Sequence, residues 1–219
     1  MRITFLLTQS LESPGGGGRF FPLAKALTGL GHKVTLIALH HHFDSLTAEE
    51  KQFVRDGVNV HYVAQMHVQK INNTKIYFSP LKLIWVVLVA TWQLSWHAWR
   101  TPADVIHVCK TQPMNGVAAW LVHLFKRTPV YLEADDYEAA NNRFGGAWQK
   151  RVVAAFENWL PSFAAGITVN TTFIAEHFQR LGYGEKIPIV LVPNGVDRAR
   201  FTAGEDWAER REEIRERYG

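Results

Sequence analysis

The chain has 219 residues, of which 47% are hydrophobic, and its formal net charge is +4 at pH 7. This length and composition allow a sizeable globular core and exclude a disordered or fibrous chain. The single cysteine, Cys109, excludes a disulfide framework, and residues 1–8 form too short an apolar run for a secretory signal peptide. We therefore expect a cytoplasmic protein, and its scattered basic residues indicate no nucleic-acid partner.

The first forty residues predict a strand, a glycine-rich loop, a helix and a second strand. Residues 2–8 form an apolar run, residues 9–18 are polar and glycine-rich, and residues 20–30 carry apolar side chains at helical spacing. Gly31 ends this helix as a C-terminal cap, and residues 33–39 are the next strand. A βαβ unit of this kind predicts a parallel sheet.

Strands and helices continue to alternate along the chain. Thr47 and Glu50 resemble a capping box for a helix that ends near residue 56, while Ser79 and Pro80 predict the start of a long helix. Five further strands are predicted at residues 58–63, 104–109, 129–134, 166–169 and 187–192, with helices at 116–125, 148–160 and 173–181. Seven strands alternating with helices predict an α/β fold with a doubly wound, mostly parallel sheet.

The character of the chain changes after Pro193. Residues 194–197 predict a turn, and residues 207–218 predict a charged helix rich in Glu and Arg, after which no strand pattern follows. We therefore assign residues 1–197 to one domain. Residues 198–219 are then a linker and the helical start of a second domain.

The glycine-rich segment after the first strand is a candidate ligand site, because open α/β sheets bind ligands beyond the carboxyl ends of their strands. Gly16, Gly17 and Gly18 permit positive φ and close backbone approach, and the N–H groups of the next helix suit an anion or a sugar hydroxyl. Phe20 stands where a dinucleotide fingerprint needs its last glycine, so an oxidoreductase of that type is disfavoured, as is a P-loop. A flexible loop without a ligand is the alternative.

Two further clusters follow predicted strands. His107, at the end of the fourth strand, is suited to a sugar hydroxyl or a phosphate, with a satisfied core histidine as the alternative. Four acids surround the end of the fifth strand, with Asn142 and Arg143 close behind: Glu133, Asp135, Asp136 and Glu138. Acids without mutual pairing predict contact with polyhydroxyl or cationic groups, or proton transfer. A solvated loop is the alternative, and no second ligand cluster indicates a metal site.

Two weaker signals lie elsewhere. Asn170 and Thr171 follow the sixth strand, where they predict a helix cap that either faces the cleft or serves the helix alone. The consecutive histidines His40, His41 and His42 lack supporting cysteine or carboxylate spacing, so we expect a solvated turn rather than a metal site.

The long helix carries four tryptophans, Trp85, Trp92, Trp96 and Trp99, within one stripe at about 100° per residue. Its opposite face is also apolar. A membrane crossing is disfavoured because it would separate strands of one sheet. Two interpretations remain: burial in the core or under a neighbouring domain, and a tryptophan face that meets a lipid surface or a partner.

Several segments in this order resemble the N-terminal domain of glycosyltransferase family 4, whose members are retaining enzymes with the two-domain GT-B fold. The segments are PGGGGR at 14–19, GHKVTLIAL at 31–39, ADVIHV at 103–108, AAGITVN at 164–170 and VPNGVDRARF at 192–201. The last is the most specific, and the glycine segment alone is weak.

This resemblance implies a Rossmann-like, acceptor-side half of a GT-B fold. It implies transfer from a nucleotide sugar with retention, without an obvious protein nucleophile, a cofactor or an obligatory metal. Gly16, Gly17, Gly18 and Arg19 would approach the donor, and Asp135 and His107 the reacting sugar. A glycan or lipid-linked acceptor would contact Asp136, Glu138, Asn142, Arg143, Asn170 and Thr171. Asn194, Gly195 and Asp197 would lead towards the other domain.

The chain departs from the family pattern in three ways. Cys109 stands where many relatives have a second histidine, and Asp135 where many have a histidine. The family's donor-binding residues lie in a second domain, so we expect no activity unless a C-terminal domain or separate chain supplies them. The alternative is a non-catalytic subunit that binds a glycan or lipid-linked sugar. The tryptophan helix adds a membrane surface as a partner, on the inner face.

Overall fold

The structure is a computed structural model that describes residues 1–71, 74–141, 146–195 and 207–218. The strands are β1 (Arg2–Leu7), β2 (Lys33–His40), β3 (Gln52–Arg55), β4 (Val58–Gln65), β5 (Val68–Ile71), β6 (Thr74–Tyr77), β7 (Val105–Cys109), β8 (Val130–Ala134), β9 (Gly166–Val169) and β10 (Ile189–Leu191). The α-helices are α1 (Phe21–Gly29), α2 (Ala48–Lys51), α3 (Pro80–Arg100), α4 (Pro113–Lys126), α5 (Glu138–Asn141), α6 (Ala147–Trp159), α7 (Thr172–Arg180) and α8 (Trp207–Tyr218). A π-helical turn, Gly16–Phe20, precedes α1.

The described residues form a central eight-stranded sheet in the order β10-β9-β8-β7-β1-β2-β4-β3. Every neighbouring pair in it is parallel except β3 and β4. All seven predicted strands are present, which confirms the α/β class and the mostly parallel sheet. β1 lies centrally between β2 and β7, so the order of the strands reverses beside it.

Helices cover both faces of this sheet, as a doubly wound fold requires. On β1, Leu6 belongs to one buried cluster, whereas Phe5 and Leu7 belong to the other. Buried side chains of α3, α4 and α7 belong to the first cluster, and a buried side chain of α1 belongs to the second. Successive side chains of a strand point to opposite faces, which explains why these strands read as nearly continuous apolar runs.

The predicted helix at residues 47–56 was wrong in its second half. The Thr47–Glu50 capping box is confirmed, but the helix ends at Lys51 and the chain continues as β3. Asp56 and Gly57 connect β3 to β4 with φ values of 50° and 80°. An Asp-Gly pair with positive φ at both positions is typical of a tight β-hairpin, and this turn signal gives the sheet its eighth strand. The hairpin of β5 and β6 was not predicted either.

Helix α3 begins at Pro80 as predicted and lies with one face on the sheet. Val86, Ala90, Leu94 and Ala98 are buried, whereas all four tryptophans of the predicted stripe are exposed. The interpretation that these tryptophans are buried in the core of this chain is therefore wrong. Among the described residues, we find no helix with the length and hydrophobicity needed to cross a bilayer.

Candidate active site at the carboxyl edge of the sheet

The candidate site lies where β1 and β7 end side by side, at the reversal of strand order. Leu7 pairs with Cys109 in register, so the residues that follow each of them emerge at the same edge. β8 ends beside them, since Cys109 also pairs with Glu133. Three segments that are far apart in sequence therefore meet there: the glycine-rich turn, the segment after β7 and the acidic segment after β8.

The glycine-rich segment is helical rather than a loop, and this corrects the prediction of positive φ. Gly15 has a φ of −69° and a ψ of −44°, and Gly16 opens the π-helical turn. A side chain at Gly16 would come within 2.1 Å of the Ser10 carbonyl oxygen, and one at Gly17 within 2.3 Å of the Leu11 carbonyl oxygen. These glycines thus allow helix and loop to pack closely.

Gly18 has a different environment from its neighbours. A Cβ atom added there would meet no atom within 4 Å, and the residue is exposed. Packing within the described chain therefore gives no reason for a glycine at this position. Close approach of a ligand to the backbone is a reason that remains.

Arg19 connects the glycine-rich turn to β8. Its Nε donates to Oε1 of Glu133, which is almost fully buried, and its Nη1 and Nη2 donate to the Asn194 side chain and the Val192 carbonyl oxygen. His107 Nε2 lies 2.7 Å from the other Glu133 oxygen. Burial favours a high pKa for Glu133, but His107 and Arg19 outweigh it and lower the pKa. Glu133 is therefore a buried carboxylate held by two partners.

Lys110 organises the acids that follow β8. Its Nζ lies 3.1 Å from Asp135 Oδ1, 3.0 Å from Asp136 Oδ2 and 2.9 Å from Glu138 Oε1. These three carboxylates are close enough together to hold a metal ion, but the ammonium group occupies the centre of the cluster. The expectation of acids without mutual pairing was wrong, since Lys110 pairs with three of the four.

Two charges in this cluster have shifted proton affinities. Burial opposes the charge of Lys110, but Glu138 and Asp135 outweigh that effect and raise the pKa of the lysine. Burial raises the pKa of Asp135 as well, and the Lys110 charge only partly opposes the rise.

The backbone at Lys110 has a φ of 72°, an uncommon conformation for a non-glycine residue. The Asn115 side chain supports it, because its Nδ2 donates to the backbone carbonyl oxygens of Leu6, Cys109 and Lys110.

Glu157 on α6 supports this cluster and was not predicted. Its carboxyl group accepts from the backbone N–H groups of Glu138 and Ala139 and from the Thr111 hydroxyl, at 2.9, 3.2 and 3.1 Å. Burial raises the pKa of Glu157 to about 7 despite these donors. Its sequence signal was weak, because it lies at the end of α6, where only its spacing from the buried Leu160 that follows the helix indicates burial.

Several polar atoms at this edge have no protein partner. Within the described part of the chain, Gln9 Oε1, His67 Nδ1 and Asn170 Oδ1 are buried without a hydrogen bond. They follow β1, β4 and β9, so all three lie at the carboxyl edge of the sheet. A buried polar atom without a partner costs free energy, and a polar ligand or water at this edge would satisfy it.

The other predicted site residues are distributed unevenly. Thr171 is the N-cap of α7, with its hydroxyl 3.4 Å from Ile174 N, and it lies next to Asn170 at the edge. Glu138 accepts from the Gln112 side-chain amide, whose oxygen accepts in turn from the Thr8 hydroxyl. Asn194 reaches the site through Arg19, and Gly195 beside it is exposed. Asn142, Arg143 and Asp197 lie outside the described residues.

The three consecutive histidines do not form the solvated turn expected from the sequence. His40 and His41 are buried, and their Nε2 atoms lie 3.5 Å and 3.1 Å from Glu12 Oε2. His40 Nδ1 accepts the His42 backbone N–H, which puts its ring proton on Nε2, facing Glu12. This tautomer suits a hydrogen bond to Glu12 rather than a metal ion.

Comparison with known proteins agrees with this architecture. Structural relatives include a sucrose-phosphate synthase from Thermosynechococcus elongatus, at 12% identity and a TM-score of 0.59, with 90% of this chain and 49% of that one covered. S. aureus MnaA in complex with UDP has 13% identity and a TM-score of 0.58, covering 94% and 48%. A glycosyltransferase from Rickettsia africae has 16% identity and a TM-score of 0.51, covering 99% and 49%.

This chain thus spans about half the length of each of these structures. No curated protein sequence matches it significantly. A sequence model of the glycosyl transferase 4-like domain matches residues 15–195. This range includes the glycine-rich turn, Lys110 and the acidic segment after β8. The chain therefore belongs to the glycosyl transferase 4-like domain family and has the Rossmann-like architecture of one half of a GT-B fold.

Proposed function

We propose that this chain is the acceptor-side half of a retaining glycosyltransferase of the hexosyltransferase type. It would move a sugar from a nucleotide-sugar donor to a glycan or lipid-linked acceptor, in the cytoplasm. A donor-binding half, in the same chain or a separate one, would supply the remaining contacts. No metal or cofactor has a role in this proposal.

One observation carries the proposal: the glycine-rich turn and the acidic segment after β8 lie against each other at the carboxyl edge of the sheet, and we take the space above them as the substrate crevice. Arg19 and Glu133 join them directly. A Cβ atom added at Gly15 would lie 3.6 Å from Lys110 Cε, so the turn is also close to the centre of the acidic cluster. This crevice lies at the reversal of strand order, where open α/β sheets bind their ligands. Family membership supports sugar transfer as the chemistry.

The donor side of the crevice is proposed at the turn. Gly16 and Gly17 let the turn pack closely against Ser10 and Leu11, and Gly18 offers open backbone for close approach of the donor. The adjacent Arg19 guanidinium adds positive charge beside a donor diphosphate, although it is held by Glu133 and Asn194. We assign it electrostatic support of the diphosphate, together with the positive end of the helix.

The acceptor side is proposed around Asp135. This carboxyl group is largely buried with a raised pKa, which suits it to exchange a proton with a sugar hydroxyl. His107 lies on the neighbouring strand and contacts the reacting sugar or orients Glu133. Asp136, Glu138, Asn170 and Thr171, with Asn142 and Arg143, complete the proposed acceptor contacts.

Sugar transfer by the enzyme that contains this chain tests the proposal. Radiolabelled nucleotide sugars would be incubated with a lipid and glycan extract, with and without a candidate donor-binding half. We expect transfer only when both halves are present, and a product whose anomeric configuration matches the donor by NMR. An Asp135→Asn variant should reduce kcat by about 10²-fold or more, whereas Asp56→Asn, at the β3–β4 turn, should not.

Three outcomes would contradict the proposal. Efficient transfer by this chain alone would overturn the division of donor and acceptor contacts between two halves. An inverted anomeric product would overturn the retaining mechanism. Binding of the acceptor without transfer in the complete assembly would favour the alternative, a non-catalytic subunit that recognises a glycan or a lipid-linked sugar.

A further inference from the structure

Helix α3 presents an exposed tryptophan face that the proposed activity does not use. Trp85 and Trp92 are 67% and 66% exposed, and Leu81 and Leu88 reach 83% and 60%. Trp96 and Trp99 continue the same stripe, and Phe125 of α4 extends it sideways through an edge contact with Trp99, with the ring centroids 5.8 Å apart. We call these side chains, with Ile84 between them, the tryptophan face.

Basic side chains border the tryptophan face. Lys82 Nζ lies 4.9 Å from the ring centroid of Phe78, the Arg100 guanidinium carbon 5.3 Å from that of Trp96, and Lys126 Nζ 4.8 Å from that of Trp99. Such positions keep each charged group at the rim while its stem covers apolar surface. The face is thus apolar at its centre and positive around its border.

The surrounding sequence is almost free of acidic residues. Between Asp56 and Glu133, Asp104 is the only acid, and it forms an ion pair with Arg2 near the start of β1. The basic residues of the same stretch are Lys70, Lys75, Lys82, Arg100, Lys110, Lys126 and Arg127. Of these, Lys110 is buried at the candidate site and neutralised by its carboxylates. Lys82, Arg100 and Lys126 lie at the border of the tryptophan face and give it a positive charge.

The C-terminal half of α3, with Trp96 and Trp99, lies away from the carboxyl edge of the sheet. Asp104, four residues after α3 ends, donates its N–H to the Arg2 carbonyl oxygen, so the end of α3 lies at the amino edge of the sheet. The helix packs along α4, β2 and β4, on a face of the sheet rather than at its carboxyl edge. A partner that closes over the crevice therefore has no need to cover Trp96 or Trp99.

We propose that the tryptophan face docks on the surface of an anionic lipid bilayer, with α3 lying in the interface. Indole rings prefer the boundary between headgroups and acyl chains, and a basic border attracts anionic lipids. A second copy of this chain is a poorer occupant, because a symmetric contact would bring the two basic borders together. Docking places the enzyme peripherally on the inner face of the membrane.

Vesicle flotation of the purified chain tests this proposal without any sugar substrate. We expect the chain to float with vesicles of phosphatidylglycerol and phosphatidylcholine, to float less with phosphatidylcholine alone, and to be released by high salt. The double variant Trp92→Gln/Trp96→Gln should weaken partitioning by at least about tenfold. Lys82→Glu/Arg100→Glu should weaken binding to the anionic vesicles selectively.

The matched control is Trp148→Gln/Phe173→Gln, which removes two exposed aromatic side chains from α6 and α7 and should leave partitioning unchanged. Circular dichroism would show that each variant retains its fold. Failure of the original chain to float, or equal loss with the control, would overturn the proposal. So would a lipid-independent dimer in sedimentation velocity that the Trp92→Gln/Trp96→Gln variant abolishes. Because no donor is needed, these results are independent of the proposed transfer reaction.

Discussion

Arg19 and Glu133 are 114 positions apart in the sequence, yet the guanidinium of one donates directly to the carboxylate of the other. The pair joins the first turn after β1 to the end of β8. Glu133 is 1% exposed, and Arg19 also reaches Val192 and Asn194 beyond β10. One arginine therefore holds together the glycine-rich turn, the end of β8 and the segment after β10.

Glu133→Gln should strongly destabilise the chain, because it leaves the mostly buried Arg19 charge without its carboxylate partner. We expect a loss of about 3 kcal/mol in the free energy of unfolding, measured by urea denaturation at pH 7. Asp104→Asn is the matched control. It breaks the exposed Arg2–Asp104 pair and should cost much less. Equal losses in the two variants would contradict a central role for the Arg19–Glu133 pair.

The glycines should respond differently to alanine. Gly16→Ala and Gly17→Ala would place a methyl group against the carbonyl oxygens of Ser10 and Leu11, which are backbone atoms with little room to move. Both should lower the free energy of unfolding by at least about 2 kcal/mol. Gly18→Ala meets no atom and lies in a helical turn, so it should be neutral or stabilising by up to about 1 kcal/mol.

Activity separates the two roles of these glycines. In the complete enzyme, Gly18→Ala should raise KM for the nucleotide sugar although the protein stays folded, because the new methyl group meets the ligand. Unchanged kinetics in a stable Gly18→Ala variant would show that the donor does not approach this position.

Lys110→Ala should convert the acidic cluster into a site for a divalent cation. The carboxylates of Asp135, Asp136 and Glu138 would repel one another without the ammonium group, and their oxygens suit Ca²⁺. Differential scanning fluorimetry should show that millimolar Ca²⁺ raises the Tm of this variant by several degrees, with no comparable effect on the unmodified chain. Lys25→Ala, which removes the partner of Asp56 alone, is the control. The absence of a Ca²⁺ response in Lys110→Ala would contradict the proposed geometry.

Glu157 should make stability depend on pH in a predictable direction. Its pKa in the folded chain is about 7, above its ordinary value of 4.5, so between these pH values the folded state holds a proton that the unfolded state releases. Its contribution to stability therefore falls as pH rises through this window. The test compares the free energy of unfolding of the original chain with that of Glu157→Gln at each pH. The first minus the second should fall by about 2 kcal/mol between pH 5 and pH 8.

Glu176→Gln, at an exposed position on α7, serves as the control for this measurement and should leave the pH profile unchanged. Buried histidines affect both the original chain and the Glu157→Gln variant equally, so they cancel in the difference. A difference that stays constant, or that rises with pH, would contradict the assignment of a raised pKa to Glu157.

The sequence predicted the seven main strands because each is an apolar run bounded by turn residues. It did not predict β3, because the capping box at Thr47 favours a helix, whereas in the structure that helix ends at Lys51 and the Asp56-Gly57 turn pairs β3 with β4. The site was predicted in part: Asp135, His107 and the glycines all lie at the carboxyl edge. The partners that fix them were not, since pairs such as Arg19–Glu133 and Lys110–Asp136 depend on the strand order.

The central claim is that the carboxyl edge beside β1, β7 and β8 binds the sugar substrates. Amide chemical shifts of the isotope-labelled chain, followed by NMR during titration with a nucleotide sugar and with a lipid-linked acceptor sugar, test it most directly. The largest changes are predicted at Gly18, Arg19, Asp135 and Asn170, with only weak donor affinity for this chain alone. Changes clustered instead around Phe53 and His61, on β3 and β4 at one end of the strand order, with none at the carboxyl edge, would contradict the claim.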